Sequence, residues 1–301
     1  MNINITNFKA KYSLEVLNLI NSQDSELVEK NTITQNLFTQ MISIPYSNPE
    51  NDCYLIWSEN NLIGFVQLIH ENTISRTVLN FWISKNVDRK SIFSKIIELF
   101  QKKLPSMNSK ILHIQIPQKT YESILIENNW TQSKTYLTLK LSINSNPEIS
   151  FDSHLKVSHL NIDSNDEKDL TNLQNACFEN NWGFCPNTTE QIAYRVRMEN
   201  CSPSGIIFIE SNHTKIAYTW TLFDQNNQNN KTGFISMIGV HPKFQGKGIG
   251  KQVLLAGIKS LYQQGARSIL LEVDSENKNA ISLYKKIGFM DFKENIWFEF
   301  N

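Results

Sequence analysis

The sequence predicts an α/β protein built as a tandem duplication of one unit. Apolar runs of strand length alternate with helix-period segments along the 301 residues, the two halves present them in the same order, and a polar, proline-bearing stretch divides them.

In the first half, "CYLIWS" (53–58), "NLIGFVQLIH" (61–70) and "VLNFWIS" (78–84) are rich in β-branched and aromatic residues and read as strands. "SIFSKIIELFQKKL" (91–104) then repeats apolar residues at helical spacing, and "KILHIQI" (110–116) returns to a strand. The second half follows with "GIIFIES" (205–211), "KIAYTWTLFD" (215–224), "FISMIGV" (234–240), a helix pattern over 251–264, and "SILLEV" (268–273). "LSINSNPEIS" (141–150) reads as the connection. Two landmarks align without gaps. Gln245 set on Asp88, an offset of 157, pairs Val240 with Ile83 and Leu254 with Ile97; Phe289 set on Trp130, an offset of 159, pairs "IGF" with "NNW". The expected division is a first domain over 1–143, a linker over 144–154 and a second domain over 155–301.

Composition narrows the partners. At 40% hydrophobic and 19% charged, the chain can bury two ordinary cores. Lys plus Arg and Asp plus Glu each number 29, so no net field draws it to nucleic acid or an anionic membrane, and neither is an expected partner. The start shows no charged segment followed by a long apolar core, and no eighteen apolar residues run together, which suggests a cytoplasmic location. Cys53, Cys177, Cys185 and Cys201 stand far apart without zinc-like spacing, so they are read as reduced and no metal is expected.

The copies differ most at "VHPKFQGKGIGKQVLLAG" (240–257), where Gly246, Gly248 and Gly250 face Arg89, Ser91 and Phe93. Glycine lets a ligand touch the main chain, and a loop that opens a helix presents unpaired N–H groups at the positive end of the dipole. Such a turn suits phosphate. A P-loop would need Gly at Gln245 and Ser or Thr at Gln252, and a dinucleotide fingerprint counted from Gly246 would need Gly at Lys251; both fail. The spacing present is Q-x-x-G-x-G: Gln245, Gly246, Lys247, Gly248, Ile249, Gly250. It resembles the pyrophosphate loop of the GCN5-related N-acetyltransferases, the GNAT superfamily. A second segment, "LEVDSENKNAISLYKKIGF" (271–289), resembles that family's N-x-x-A-x-x-x-Y motif followed by G-F, with Asn277, Ala280 and Tyr284 in place. Asn277 and Tyr284 lie seven apart and share a helix face.

The resemblance implies two tandem acyl-CoA N-acyltransferase domains, each a mixed, mostly antiparallel twisted sheet flanked by helices. It further implies acetyl-CoA as acyl donor, held by Ile238, Gly239, Val240, Gln245 to Lys251, Asn277 and Ala280. Tyr284 is implied as general acid to the leaving sulfur; a plain reading makes it a packing aromatic. Glu272, twelve residues before Tyr284, is the candidate base, as in the ribosomal-protein N-terminal acetyltransferases, or a solvated strand-edge carboxylate. The tandem layout looks like the mycothiol synthase group, and "NACFENNWGFCPNTTEQ" (175–191) is similar to that group's segment between its first two helices. That places Asn181, Trp182 and Phe184 over the acceptor, or alternatively in the core. Phe234 departs from that group, which has an acidic residue there, and Leu125 stands in the first copy where Tyr284 stands in the second, so the first copy is expected to be silent. Glu210 and Asp224 are further carboxylates near the inner strands, and His241 is a possible proton carrier or a turn residue.

The expected activity is acetyl transfer to the amine of a small molecule by a monomer or homodimer. Transfer to a protein N-terminus, and acetyl-CoA binding without catalysis, are the alternatives.

Overall fold

The computed structural model describes residues 3–22, 33–149, 151–223 and 231–301. Its strands are β1 (Ile3–Asn7), β2 (Cys53–Ser58), β3 (Asn61–Glu71), β4 (Arg76–Ile83), β5 (Ile111–Pro117), β6 (Thr131–Ser142), β7 (Leu155–His159), β8 (Cys201–Ser211), β9 (Thr214–Leu222), β10 (Thr232–Val240), β11 (Ser268–Asp274) and β12 (Met290–Phe300). The α-helices are α1 (Ser13–Asn21), α2 (Gln35–Ile42), α3 (Pro49–Asp52), α4 (Arg89–Lys103), α5 (Glu122–Glu127), α6 (Asp166–Phe178), α7 (Thr189–Arg195), α8 (Ile249–Gln264) and α9 (Lys278–Ile287). None is long and apolar enough to cross a membrane.

Two compact units result: Met1–Leu137 with Lys293–Asn301, and Thr138–Phe292. In the first, strands run in the order β1-β2-β3-β4-β5-β12, antiparallel except for β4 beside β5. In the second, the order is β6-β11-β10-β9-β8-β7, with β10 parallel to β11 and antiparallel to β9. Each is a mixed, mostly antiparallel sheet flanked by helices. The polar connection read over 141–150 overlaps the end of β6, which continues through Leu141 and Ser142, and the Ile143 N–H still bonds the Arg267 carbonyl, one residue before 144. The expected second domain also loses its end, since the segment from Lys293 packs with the first unit as the strand beside β5.

Period-two alternation explains the first core. Cys53 and Leu55 of β2 face the α1–α2 layer with Val16, Ile20 and Phe38, while Tyr54 and Ile56 join Ile92, Phe93, Ile96, Ile97 and Phe100 of α4 on the other face. Ile296 and Phe298 of β12 complete that second cluster. In the second unit, Tyr218 and Trp220 of β9 pack under α6 and α7, and Ala217 packs under Ile249 and Val253 of α8. Gly257 of α8 and Gly233 of β10 keep that helix close, because a Cβ there would lie 2.8 Å from Thr219 Oγ1 or 2.7 Å from a Leu261 methyl.

The first unit carries a buried titrating group. Burial, then the nearby Arg76 guanidinium, lower the His113 pKa from 6.5 to about 4. Glu299 lies 3.3 Å from His113 Nε2 and opposes this, but it is partly exposed and weaker than those two. A folded pKa below the unfolded one means that the unfolded chain binds more protons between the two values. His113 therefore contributes fully above about pH 6.5 and its contribution falls away toward pH 4, a loss of roughly 2–3 kcal/mol. Denaturation midpoints measured from pH 7 to pH 4.5 should fall, and His113→Gln should flatten that slope.

Candidate active site

The central strands of the second unit part. The parallel ladder holds four rungs, Thr232 with Ser268 to Ile235 with Leu271, and then stops. β10 continues to Val240, still paired with β9 from Met237 onward, and β11 continues to Asp274. Ile238 and Val240, half-buried, and the buried Gly239 thus line an open strand edge. Behind that edge there is no room: a Cβ on Gly239 would meet Cys177 Sγ and Tyr218 Cε1, each at 2.9 Å. The Tyr218 hydroxyl is buried there with no hydrogen-bond partner. Burial pushes the Cys177 thiol up to about 12, so it is a packing group and not a thiolate.

At the far end of the slot, the chain turns through a short 3-10 helix (Pro242–Phe244) into α8. His241 Nδ1 accepts the Lys243 N–H there, which makes it a turn residue. Gln245 Nε2 donates to the Val240 carbonyl at 3.0 Å and ties the loop to the strand. Gly246 and Gly248 sit at φ +75° and +78°, and a Cβ on either would meet nothing within 4 Å. Their requirement is conformational, and the space above them is clear. Gly248 is the N-cap of α8 and has no side chain to cap it, whereas Asn277 caps α9 and Thr188 caps α7. The Lys251 N–H bonds the Gly248 carbonyl; the turn otherwise offers N–H groups at the positive end of a long helix. Lys247 lies over the Phe244 ring at 5.3 Å. An anion fits this cradle.

The same place gathers α9. Gly250 lies where a Cβ would touch Leu283 at 3.6 Å and Val240 at 3.9 Å. Asn277 Oδ1 accepts the Ala280 N–H at 3.1 Å, so its carbonyl is spent on the helix and its amide nitrogen remains. Tyr284 is 6% exposed beside Phe289, and burial raises its pKa to about 12. Glu272 is exposed on β11 and accepts a hydrogen bond from Thr138 Oγ1 at 3.4 Å.

Residues 168–289, which span both segments, match the model of the acetyltransferase (GNAT) family. That match lies within the second unit. Among relatives, the mycothiol acetyltransferase of Pseudarthrobacter chlorophenolicus is 31% identical over 104 residues, 34% of this chain and 32% of that one. That of Renibacterium salmoninarum is 47% identical over 57 residues, 19% of this chain and 17% of the other. The chain spans about a third of the length of the first curated relatives it matches. A tandem GNAT protein from the clavulanic acid biosynthesis pathway has the same fold, with a TM-score of 0.76 at 10% identity over 99% of this chain and 98% of that one. A GCN5-related N-acetyltransferase from Sphaerobacter thermophilus gives 0.75 at 11% identity, over 99% and 95%.

Asn181, Trp182 and Phe184 lie in the α6–α7 loop, where Phe184 packs on Phe178 of α6 with centroids 6.0 Å apart. Phe184 thereby anchors that loop to its helix. Glu210 accepts a hydrogen bond from Ser158 on the neighbouring strand β7, a strand-pairing contact. Asp224 and the rest of 224–230 lie outside the described residues.

The first unit repeats the slot and fills it. Its parallel ladder also has four rungs, Arg76 with Ile111 to Leu79 with Ile114. Beyond them, Phe81, Phe93 and Tyr121 form one aromatic cluster, with centroids 4.9, 4.2 and 5.7 Å apart. At the offsets of 157 and 159 these three correspond to Ile238, Gly250 and Ala280. Phe93 and Tyr121 are buried and Phe81 half-buried; a fully buried ring of this size contributes about 1.5–3 kcal/mol, so the cluster is a stable filling. Asp88 caps α4 with its own carboxylate, on the Ser91 N–H at 3.2 Å, at the helix start corresponding to the one that Gly248 leaves bare.

Proposed function

We propose that the second unit transfers acetyl from acetyl-CoA to the amine of a small molecule. The observation that carries this reading is the meeting of a side-chain-free helix start with an open strand edge. The first suits a pyrophosphate and the second offers backbone N–H groups to a carbonyl oxygen. Acetyl-CoA supplies an activated acetyl thioester. In this reading Gln245, Gly246, Lys247, Gly248, Ile249, Gly250 and Lys251 hold the pyrophosphate, and Ile238, Gly239 and Val240 hold the arm and polarise the carbonyl. Asn277 gives its amide nitrogen to the arm and Ala280 leaves space for it.

Glu272 takes the proton that the amine loses as its nitrogen bonds to the acetyl carbon, and Tyr284 gives its phenolic proton to the sulfur as the carbon–sulfur bond breaks. Solvent restores both groups. With a pKa near 12, Tyr284 keeps its proton at neutral pH until a thiolate develops beside it. The half-buried Phe234 contributes an uncharged wall, which favours an acceptor other than the mycothiol precursor.

The test is release of free thiol from acetyl-CoA with glucosamine, spermidine, lysine, tyramine and peptides bearing free Ala or Ser N-termini. Reaction with a small amine supports the proposal; reaction with peptides alone would replace it by the N-terminal acetyltransferase reading. Glu272→Gln is expected to lower the rate about 100-fold at neutral pH. The deficit should shrink as pH rises through the amine's own pKa, because a neutral amine arrives already deprotonated. A pH–rate profile parallel to wild type would remove Glu272 from the role of base.

A further inference from the structure

We propose that Ser236 binds the acceptor nitrogen opposite Glu272, and that the pair selects a primary amine. Ser236 is the residue by which β10 exceeds its counterpart in the first unit. Before it the copies are offset by 156 (232 − 76, 235 − 79), and after it by 157 (245 − 88). The extra residue is a bulge: the β10–β9 register shifts between Ile235 and Met237, while β3 and β4 pair without a shift.

Facing confirms the slip. Gly233 faces Leu261 of α8 and Gly239 faces Cys177 of α6, although residues six apart on a regular strand share a face. As the extra residue of the bulge, Ser236 stands with Met237 opposite Trp220, whose side chain packs under α6 and α7, and so it shares the α6 side. It is exposed between the buried Ile235 and the half-buried Met237, on a strand with neighbours on both sides. Ile235 and Leu271 form the last parallel rung, so Ser236 and Glu272 are the first residues beyond it on the two arms of the slot. Registered parallel residues share a face; Glu272 therefore also lies on the α6 side, and it too is exposed. A hydroxyl and a carboxylate thus flank the closed end of the slot on one face.

This placement rests on the acetyltransferase reading and narrows its substrate. An attacking primary amine has one lone pair and two N–H groups. With the lone pair on the acetyl carbon, one N–H can go to Glu272 and the other to Ser236 Oγ, which accepts and keeps its own proton. A secondary amine has a single N–H and must leave one of the two oxygens without its bond. Ser236 is thus a specificity-determining residue.

The experiment pairs calorimetric titration of acetyl-CoA with thiol-release kinetics on matched amines: tyramine and N-methyltyramine, benzylamine and N-methylbenzylamine, glucosamine and its N-methyl derivative. The expected result is turnover of at least one primary amine, with its N-methyl partner at least 100-fold poorer in kcat/KM. Ser236→Ala should raise that amine's KM at least tenfold with acetyl-CoA affinity within twofold of wild type, and Ser236→Thr should restore most of it. An N-methyl partner within threefold, an unchanged KM in Ser236→Ala, or acetyl-CoA affinity falling along with amine affinity would overturn the proposal. Normal acetyl-CoA binding with no amine consumed would overturn it as well. Absent acetyl-CoA binding would instead remove the acetyltransferase reading itself, and this inference with it.

Discussion

Gly248→Val is expected to weaken acetyl-CoA binding at least 100-fold while the protein stays folded. Gly248 sits at φ +78°, where a β-branched residue costs about 1–2 kcal/mol, and nothing lies within 4 Å of its missing Cβ. The loop can therefore relax without a clash, which spares the fold. Relaxation turns the N–H groups at the start of α8 away from their common focus, and the new side chain stands where a phosphate must approach. A 100-fold loss corresponds to about 2.7 kcal/mol, a plausible sum of a few charge-assisted hydrogen bonds. Calorimetry should show about one site per wild-type chain and none in the variant. Unchanged affinity would remove the phosphate loop from the argument, and two sites per chain would contradict the aromatic filling of the first unit.

Tyr284→Phe should lower turnover roughly 100- to 1000-fold and leave acetyl-CoA affinity within about twofold. The ring and its packing against Phe289 at 5.9 Å survive the substitution, so only the hydroxyl is lost. Because burial holds its pKa near 12, wild-type rates should show no alkaline decline from this group below about pH 11. Single-turnover rates beside binding titrations separate the two quantities. Equal turnover would return Tyr284 to the plain reading of a packing aromatic.

The parts of the fold legible in the sequence are those written in local periodicity. The apolar runs at 53–58, 61–70 and 268–273 fall within β2, β3 and β11, and the helix pattern at 251–264 lies within α8. The glycine loop and the Asn277–Tyr284 segment were legible because their residue types answer local demands: a positive φ, a bare helix start, a capping carbonyl. Pairing between distant segments carries no such local mark. "NIWFEF" reads as a strand whichever sheet receives it, so its place beside β5 stayed hidden. Ser236 escaped for a related reason: an alignment anchored at Gln245 runs without a gap through β10 and conceals one inserted residue. The aromatic filling was invisible because Phe81, Phe93 and Tyr121 come from three separate elements that only the fold assembles.

The position of Lys293–Asn301 has a consequence in time. On the ribosome the first unit is made before the second, yet its sixth strand is made after all of Thr138–Phe292. Until then β5 exposes an unpaired edge, and the cluster awaiting Ile296 and Phe298 lies open to water. Domain-by-domain folding during synthesis is thereby denied to this half of the chain. Its closure is a long-range event that waits on the end of translation of that strand, and an interrupted product would carry a sticky sheet edge in the first unit.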